Sequence, residues 1–137
     1  MIVEQQVYFM IQSDDLDPEQ VTQHVGVEPS RSEAKESRRG RKSGLLIPLR
    51  HEWILDSGLA ESASINEQVE AVVNKLGDAW GRIGELTAGG ATSTLVILRS
   101  FQQGKGFGQS GIVIDKESIS YLHRAGADLW IDEYDLS

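Results

Sequence analysis

Residues alternate in character near the start of the chain, and this alternation predicts a first strand from Val7 to Gln12. Two sets of residues recur here with the period of two of a pleated strand. One set is Val7, Phe9 and Ile11, and the other is Tyr8, Met10 and Gln12. Such alternation places one set on each face of a sheet.

A short helix is predicted directly after this strand. Asp17 is a good N-cap, and Gln20 has the spacing of a capping box. Pro18 suits the first helical position, because its missing N–H removes no hydrogen bond there. Gly26 then supplies a left-handed stop at the C-terminal end.

The chain from Val27 to Gly44 shows no periodic pattern, and a connection of that length in a compact domain is usually functional or mobile. The next segment, LLIPLRHEWILDS at residues 45–57, has an apolar and aromatic content that predicts a strand or hairpin. Pro48 confines its own part to a sheet edge or a bulge, because proline has no N–H to donate. We therefore expect Trp53 to Leu55 in the core.

A second capping box, Ser64 with Glu67, predicts the start of the longest helix. Its apolar stripe has spacings of three and four and is expected to pack on a sheet: Ile65, Val69, Val72, Val73, Leu76, Trp80 and Ile83. Gly77, Gly81 and Gly84 lie on an adjoining face, although each glycine costs a helix roughly 0.5 to 1 kcal/mol relative to alanine. Two explanations stay open, a close approach by a neighbouring backbone or subunit and a frayed or broken helix end.

The C-terminal part of the chain contains three further apolar segments. Leu95 to Leu98 is an unbroken apolar run, typical of a central strand covered on both faces. Ile112 to Ile114 and Leu129 to Tyr134 are predicted as the last two strands. Asp115 is expected to cap a helix between them, which stops at Gly126 and presents Ile119, Leu122 and Ala125.

These elements follow the order β-α-β-α-β-β-α-β, with too few helices to cover both faces of a sheet. The order predicts the α+β class, as a two-layer sandwich with a mainly antiparallel sheet and its helices packed on one face. Residues 8–27 and 111–131 share a strand, an acidic N-cap, a short helix and a glycine stop, which favours a ferredoxin-like arrangement. The length of 137 residues predicts a single domain, 1–137, in which residues 28–43 form a basic, mobile connection.

Positive charge is concentrated in one part of an acidic chain. The net charge is -8, yet the stretch from Arg31 to Arg50 holds seven of the 13 basic residues and only two acidic ones, Glu33 and Glu36. We call residues 31–50 the basic stretch. The remainder holds six basic and 19 acidic residues, so the protein surface is strongly polarised in charge.

Composition limits the compartment and the partners. The chain has no cysteine, no positively charged leader and no apolar run near the roughly 20 residues of a membrane span, so we expect a cytoplasmic protein without membrane contact. The acidic isoelectric point argues against a general nucleic-acid binder, because nonspecific affinity for phosphates depends on accumulated Lys and Arg.

Short motifs for catalysis or ligand binding lack their required context. The loop Gly106 to Gly111 matches Gly-x-Gly-x-x-Gly, but a predicted strand follows where a dinucleotide site needs a helix. Asp14 and Asp15 are candidates for a cation or catalytic site, although the glycine of an EF-hand is missing. The histidines are far apart in the sequence, without metal-ligand spacing: His24, His51 and His123. We therefore expect no cofactor and no metal, and the sequence favours a protein without catalytic activity.

The basic stretch is the leading candidate for a binding site. Its cations suit phosphate groups or an acidic protein surface, and the run itself has no aromatic residue for base stacking, which favours an acidic protein partner over a nucleic acid. The binding residues that we expect are Arg38, Arg39, Arg41, Lys42 and His51.

Two structural explanations of the basic stretch remain beside this hypothesis. An ordinary solvated loop needs no partner for its charges. The stretch is also able to fold back on the acidic C-terminal residues Asp132, Glu133 and Asp135, which would make its role structural.

Several short motifs carry a resemblance to a known family: Asp14 to Pro18, Val25 to Pro29, the Trp53 strand, and the last strand-helix-strand with Gly126 and Asp132. On these motifs, and over nearly its whole length, the chain resembles the bacterial family catalogued as domain of unknown function 4279. That family has no established activity. The resemblance therefore implies a single small bacterial α+β domain, and it assigns no functional residue.

The preferred hypothesis is a noncatalytic protein-binding module, of the immunity or accessory type, that meets its partner through the charge-polarised surface. The first alternative is an anion or nucleic-acid binder that uses the segment Arg31 to Arg50. The second alternative is an enzyme with a site near Asp14 and Asp15.

Overall fold

A computed structural model describes residues 2–35, 50–101 and 111–135. In these ranges the chain forms five strands, named β1 to β5, and four helices, named α1 to α4. In chain order they are β1 (Ile2–Ser13), α1 (Pro18–Val25), β2 (Arg31–Glu33), β3 (His51–Asp56), α2 (Ile65–Leu76), α3 (Trp80–Ala88), β4 (Thr92–Phe101), α4 (Lys116–Ala125) and β5 (Asp128–Asp135).

The strands form one sheet in the order β2-β3-β1-β4-β5. β1 lies in the middle and runs antiparallel to both β3 and β4, while β2 is antiparallel to β3. β5 runs parallel to β4, and the crossover between them contains α4. The predicted α+β class with a mostly antiparallel sheet is confirmed. The finer prediction of a ferredoxin-like arrangement is not confirmed, because this strand order is mixed and places a parallel pair at one edge.

One face of the sheet, which we call the inner face, carries the helices. Phe9 and Ile11 of β1 point to this side together with the residues that the register places beside them, Leu55 and Trp53 of β3 and Leu95 of β4. Each of the four helices contributes to the same buried cluster: Val21 and Val25 of α1, Val69 and Val72 of α2, Trp80 and Ile83 of α3, and Leu122 of α4. The predicted first strand is confirmed, and it extends beyond the predicted range at both ends.

Helix starts follow the local sequence signals. Asp17 and Ser64 each accept a hydrogen bond from the backbone N–H three residues later. The side chains of Gln20 and Glu67 accept a bond from the cap residue in return, so both predicted capping boxes are confirmed. Asp115 caps α4 by accepting a backbone hydrogen bond, which lowers the pKa of its carboxyl group.

The predicted longest helix is in fact two helices, α2 and α3. Gly77 ends α2 with a φ of 54°, a conformation that L side chains rarely adopt, and α3 begins at Trp80. Gly84 in α3 lies so close to the carbonyl oxygen of Arg124 in α4 that an added Cβ atom would overlap with it. Gly81, in contrast, faces open space. Both explanations offered for these glycines therefore apply, a break at Gly77 and a close backbone approach at Gly84.

The predicted strand from Ile112 to Ile114 is wrong. Within the described ranges these residues pair with no strand, because β5 takes the position beside β4. Ile112 and Ile114 instead pack against the core on the helix side. The expected apolar set of α4 also needs correction, since Ile119 is exposed and Ser118 is buried in its place.

The remaining strands agree in part with the sequence expectations. The Trp53 strand is confirmed as β3, where Trp53 is buried and its Nε1 donates a 2.9 Å hydrogen bond to Oγ1 of Thr22 in α1. The apolar run at Leu95 is buried on both faces, as expected. The three residues of β2 are not predicted by the sequence. The segment with Pro48, much of the connection 28–43 and the loop at 102–110 lie outside the described residues.

None of the helices in the described ranges is both long enough and apolar enough to cross a membrane.

Candidate functional site

The second face of the sheet, which we call the outer face, lies opposite the four described helices. Directly paired residues point to the same side of a sheet, so the register gives the side chains of this face in rows from β1 to β5. Three such rows are Tyr8, Val96 and Trp130; Gln6, Leu98 and Asp132; and Glu4, Ser100 and Tyr134. The outer face therefore carries three aromatic side chains.

The outer face has a buried floor and an exposed margin. Val96 is fully buried and Ile54 is nearly so, although neither belongs to the core on the helix side. At the β5 margin, Trp130 is 51% exposed and Tyr134 is 49% exposed. Large exposed aromatic side chains beside an apolar floor are typical of a surface that contacts another molecule.

Acidic residues outnumber basic ones on the outer face. Among the outward-pointing positions of the described strands, Arg31 is the one basic residue. The acidic residues at these positions are Glu4, Glu33, Glu52, Asp56, Asp128 and Asp132. In the described strands the outer face is therefore mainly acidic, and its Arg31, on β2, is the first cation of the basic stretch.

Arg31 and Tyr8 are in contact on this face. The guanidinium carbon of Arg31 lies 5.5 Å from the centre of the Tyr8 ring, within the range of a cation–π interaction. Burial raises the pKa of the Tyr8 hydroxyl above its ordinary value, and the charge of Arg31 opposes this shift. The carboxylates of Glu52 and Asp132 raise the same pKa further.

Replacing Arg31 with glutamine is expected to raise the pKa of Tyr8 further, because the charge that lowers it would be lost. NMR titration of the tyrosine ring carbons measures the shift. Tyr134 is the internal control, since its raised pKa comes first from its hydrogen bond with Asp132 and only last from the charge of Tyr8. An unchanged pKa of Tyr8 would contradict the contact, whereas equal shifts of both tyrosines would point to a wider change of conformation.

Tyr134 is held in place by its neighbour on β5. Its hydroxyl donates a 2.7 Å hydrogen bond to Oδ2 of Asp132. This bond raises the pKa of Tyr134, because loss of the proton would both break it and place a second negative charge beside the carboxylate. The exposed phenol is therefore oriented by Asp132.

Two clefts adjoin on the outer face. The first has a volume of about 270 Å³, and its lining includes Tyr8, Arg31 and Asp56. The second has a volume of about 210 Å³, and its lining includes Tyr134. Gln6 lines both clefts, so together they offer a cation, carboxylates, amides and phenols along one surface. Groups of this kind suit the recognition of polar ligands and peptide segments.

Gln68 of α2 supports the first cleft from inside the protein. Its side chain is 1% exposed and makes four hydrogen bonds. Oε1 accepts from the N–H of Val7 and the hydroxyl of Ser57, and Nε2 donates to the carbonyl oxygens of Gln5 and Ala63. The sequence interpretation missed this residue, although a polar side chain on the apolar stripe of a predicted helix is a visible signal.

Described residues of the basic stretch contact the domain itself. Nδ1 of His51 accepts a 3.2 Å hydrogen bond from the backbone N–H of Lys35, and Nζ of Lys35 donates to the carbonyl oxygen of Asp14. Nη1 of Arg50 donates to Oγ1 of Thr92 at 2.7 Å, and its Nε lies 3.5 Å from Oδ1 of Asp14. The contact found for His51 is thus with the chain's own backbone, and its binding role stays a prediction.

The other expected binding residues lie outside the described residues: Arg38, Arg39, Arg41 and Lys42. Their role also stays a prediction. Of the acidic C-terminal residues that were offered as an internal partner for the basic stretch, Glu133 forms an ion pair with Arg99 of β4. Arg99 is not part of the basic stretch.

Asp14 and Asp15 follow the end of β1 and are exposed. Asp14 is engaged by Arg50, and the backbone N–H of Asp15 donates to Oγ of Ser13. Neither aspartate lines the two clefts of the outer face. Within the described ranges, no cluster of three or more His, Cys, Asp or Glu side chains is arranged to hold a metal ion. An enzyme site at these aspartates stays a prediction.

The sequence interpretation did not single out the outer face as a site. Its strongest signal is the last strand, predicted over Leu129 to Tyr134, in which Trp130, Asp132 and Tyr134 recur with a period of two. That period shows that the three side chains share a face. It does not show that the helices pack on the other side, which is a property of the tertiary structure.

The fold and the outer face together define a class of protein: a small α+β domain with helices on one face of its sheet and an acidic surface with aromatic side chains on the other. Residues 3–136 match the model of the family described as Domain of unknown function (DUF4279), and the chain belongs to this family. The resemblance found in the sequence is thereby confirmed. No curated protein and no solved structure matches the chain.

Proposed function

We propose that this chain is a noncatalytic protein-binding module that meets its partner at the β5 side of the outer face. The observation that carries the proposal is a run of exposed large apolar side chains on β5, of which Trp130 and Tyr134 point to the outer face and Leu129 and Ile131 to the opposite face. Each of them is between 42% and 51% exposed. Neighbouring exposed apolar residues on a chain with a net charge of -8 are expected where another protein covers the surface.

Trp130 and Tyr134 are suited to dominate such an interface. Tryptophan and tyrosine supply large contact areas at a low cost in side-chain entropy, and they are enriched among the residues that contribute most to binding. Tyr134 is already oriented by its hydrogen bond with Asp132. A side chain held in one orientation loses less entropy when a partner binds.

We further propose that the basic stretch contributes to binding a protein partner, as the sequence predicts. Its cations would meet an acidic protein, and such complementarity mainly raises the rate of association and the specificity.

The alternative of nucleic-acid binding has weaker support. Arg31, Lys35 and Arg50 of the basic stretch each contact the domain, which leaves fewer cations for phosphate groups. The exposed aromatic residues that would stack with bases lie on the acidic outer face, where carboxylates repel a phosphate backbone. These observations favour a protein partner.

Photocrosslinking from position 130 tests the proposed function. A benzophenone amino acid in place of Trp130 is expected to give a discrete covalent adduct with another polypeptide in native lysate, because the exposed side chain would lie inside the interface. The same amino acid in place of Glu70, which is exposed on α2, is the matched control and is expected to give no such adduct. Adducts that disappear after nuclease treatment would instead support the nucleic-acid alternative.

The same assay separates the two candidate surfaces. Replacing Arg38, Arg39, Arg41 and Lys42 together with alanine is expected to leave the melting temperature nearly unchanged. If the adduct from position 130 persists in this variant, the outer face is sufficient for binding. If the alanine variant gives no adduct in an assay run at low salt, the basic stretch also contributes to binding. The proposal is contradicted if position 130 gives no polypeptide adduct, both in the protein with the intact basic stretch and in its alanine variant.

A further inference from the structure

The two edges of the sheet differ in length. β2, at one edge, has three residues, whereas β5, at the other, has eight. β5 pairs with β4 from Asp128 to Asp135 without a register shift. Among the described strands it has no neighbour on its other side. A strand in this position presents a row of backbone N–H and C=O groups to which a further strand is able to add.

β5 lacks most of the features that keep edge strands from pairing. Proline, charged side chains (lysine above all), a bulge or a very short strand usually protects an edge, and of these β5 has only acidic side chains. The sequence DLWIDEYD contains neither proline nor a basic residue, and the pairing with β4 is regular. Exposed apolar side chains lie on both faces of this edge. Trp130 and Tyr134 point to the outer face, and Leu129 and Ile131 point to the inner face. An added strand would therefore find apolar contacts on either side.

The charge of β5 selects the kind of strand that fits. Asp128 and Asp132 point to the outer side, and Glu133 points to the inner side. Like charges on directly opposed residues destabilise a pair of strands, whereas opposite charges stabilise it. A second copy of this chain fits poorly, because β5 beside β5 would gather the carboxylates of two molecules that each carry a net charge of -8. A strand with lysine or arginine fits well.

From this edge we infer that β5 binds an extended peptide segment of a partner protein, rich in lysine or arginine and alternating with apolar residues, as an added strand. The inference rests on the proposed function, to which it adds the binding mode and the chemistry of the partner. Backbone hydrogen bonds to β5 would supply affinity, and contacts with Trp130 and the aspartates would supply specificity.

Two synthetic peptides test the binding mode. The first alternates valine and lysine over roughly ten residues, enough to span β5. The second has the same sequence with every backbone nitrogen methylated, so that it is unable to donate hydrogen bonds. We expect the first peptide to bind and to change the fluorescence of the exposed Trp130, since Trp53 and Trp80 are buried. We expect the methylated peptide to bind at least about tenfold more weakly.

Paired variants test the charge selection. Asp128→Asn with Asp132→Asn is expected to weaken binding of the first peptide about tenfold at low ionic strength and less at high ionic strength. Glu28→Gln with Glu70→Gln is the matched control, because both side chains are exposed, lie away from β5 and give the same change in net charge. The control variant is expected to bind within about twofold of the wild type.

Three results would overturn the inference. Equal affinity for both peptides would exclude strand addition, and equal weakening by both pairs of substitutions would exclude selection by the β5 aspartates. If the protein forms a dimer without peptide, and the β5 amides in that dimer resist hydrogen exchange, the edge binds a second copy of the chain instead. Failure of the first peptide to bind also rejects the inference, while the adduct from position 130 still reports on the proposed function separately.

Discussion

Replacing Gly84 with alanine is expected to lower the free energy of unfolding by about 3 kcal/mol. The added methyl group would overlap with the carbonyl oxygen of Arg124, where α3 and α4 meet. Because the obstacle is backbone rather than a flexible side chain, the two helices would have to move apart. Urea denaturation followed by circular dichroism measures the loss.

Gly81→Ala is the matched control for this substitution. Gly81 lies in the same helix, and no atom beyond its chain neighbours and the nearby backbone of that helix lies within 4 Å of the position that its Cβ would take. Alanine there is expected to raise the free energy of unfolding by roughly 0.5 to 1 kcal/mol, because it favours the helix more than glycine does. If both substitutions stabilise the protein, the close packing of α3 on α4 is contradicted.

Replacing Gln68 with leucine is expected to lower the free energy of unfolding by about 2 to 4 kcal/mol. Leucine has a similar volume, so the cost comes mainly from hydrogen bonds rather than from a cavity. The N–H of Val7 and the carbonyl oxygen of Gln5 would each lose the partner that Gln68 supplies. The shift of the urea midpoint at an unchanged slope measures the effect.

Asn74→Leu provides the comparison on the same helix. Asn74 is exposed on α2, so its replacement is expected to change stability by no more than about 0.5 kcal/mol. Equal stability of the two leucine variants would mean that the buried amide of Gln68 contributes no net stabilisation.

Local signals in the sequence predicted the helix starts well. A capping box joins residues three positions apart, so Asp17 with Gln20 and Ser64 with Glu67 carry their whole geometry in the sequence. The break at Gly77 is harder to predict. The apolar stripe continues from Leu76 to Trp80 at a spacing of four, as it would in one unbroken helix, so the pattern does not reveal the turn.

Features that depend on distant pairing were predicted less well. Ile112 to Ile114 has the composition of a strand, but a strand also needs a neighbour, and β5 takes the place beside β4. β2 has three residues, too few for a period to show. The outer face was missed for the same reason, because the alternation around Tyr8 and Trp130 gives two faces without saying which one the helices cover.

The central position of β1 has a consequence for how the chain folds during its synthesis. Ser13 pairs with His51, and Ile2 pairs with Phe101, so the earliest strand has to wait for neighbours that emerge from the ribosome much later. Pairings between distant residues fold slowly, and an unpaired apolar strand is exposed to aggregation meanwhile. A nascent chain that ends before β4 would leave β1 open along one side, and chaperones are expected to bind it there.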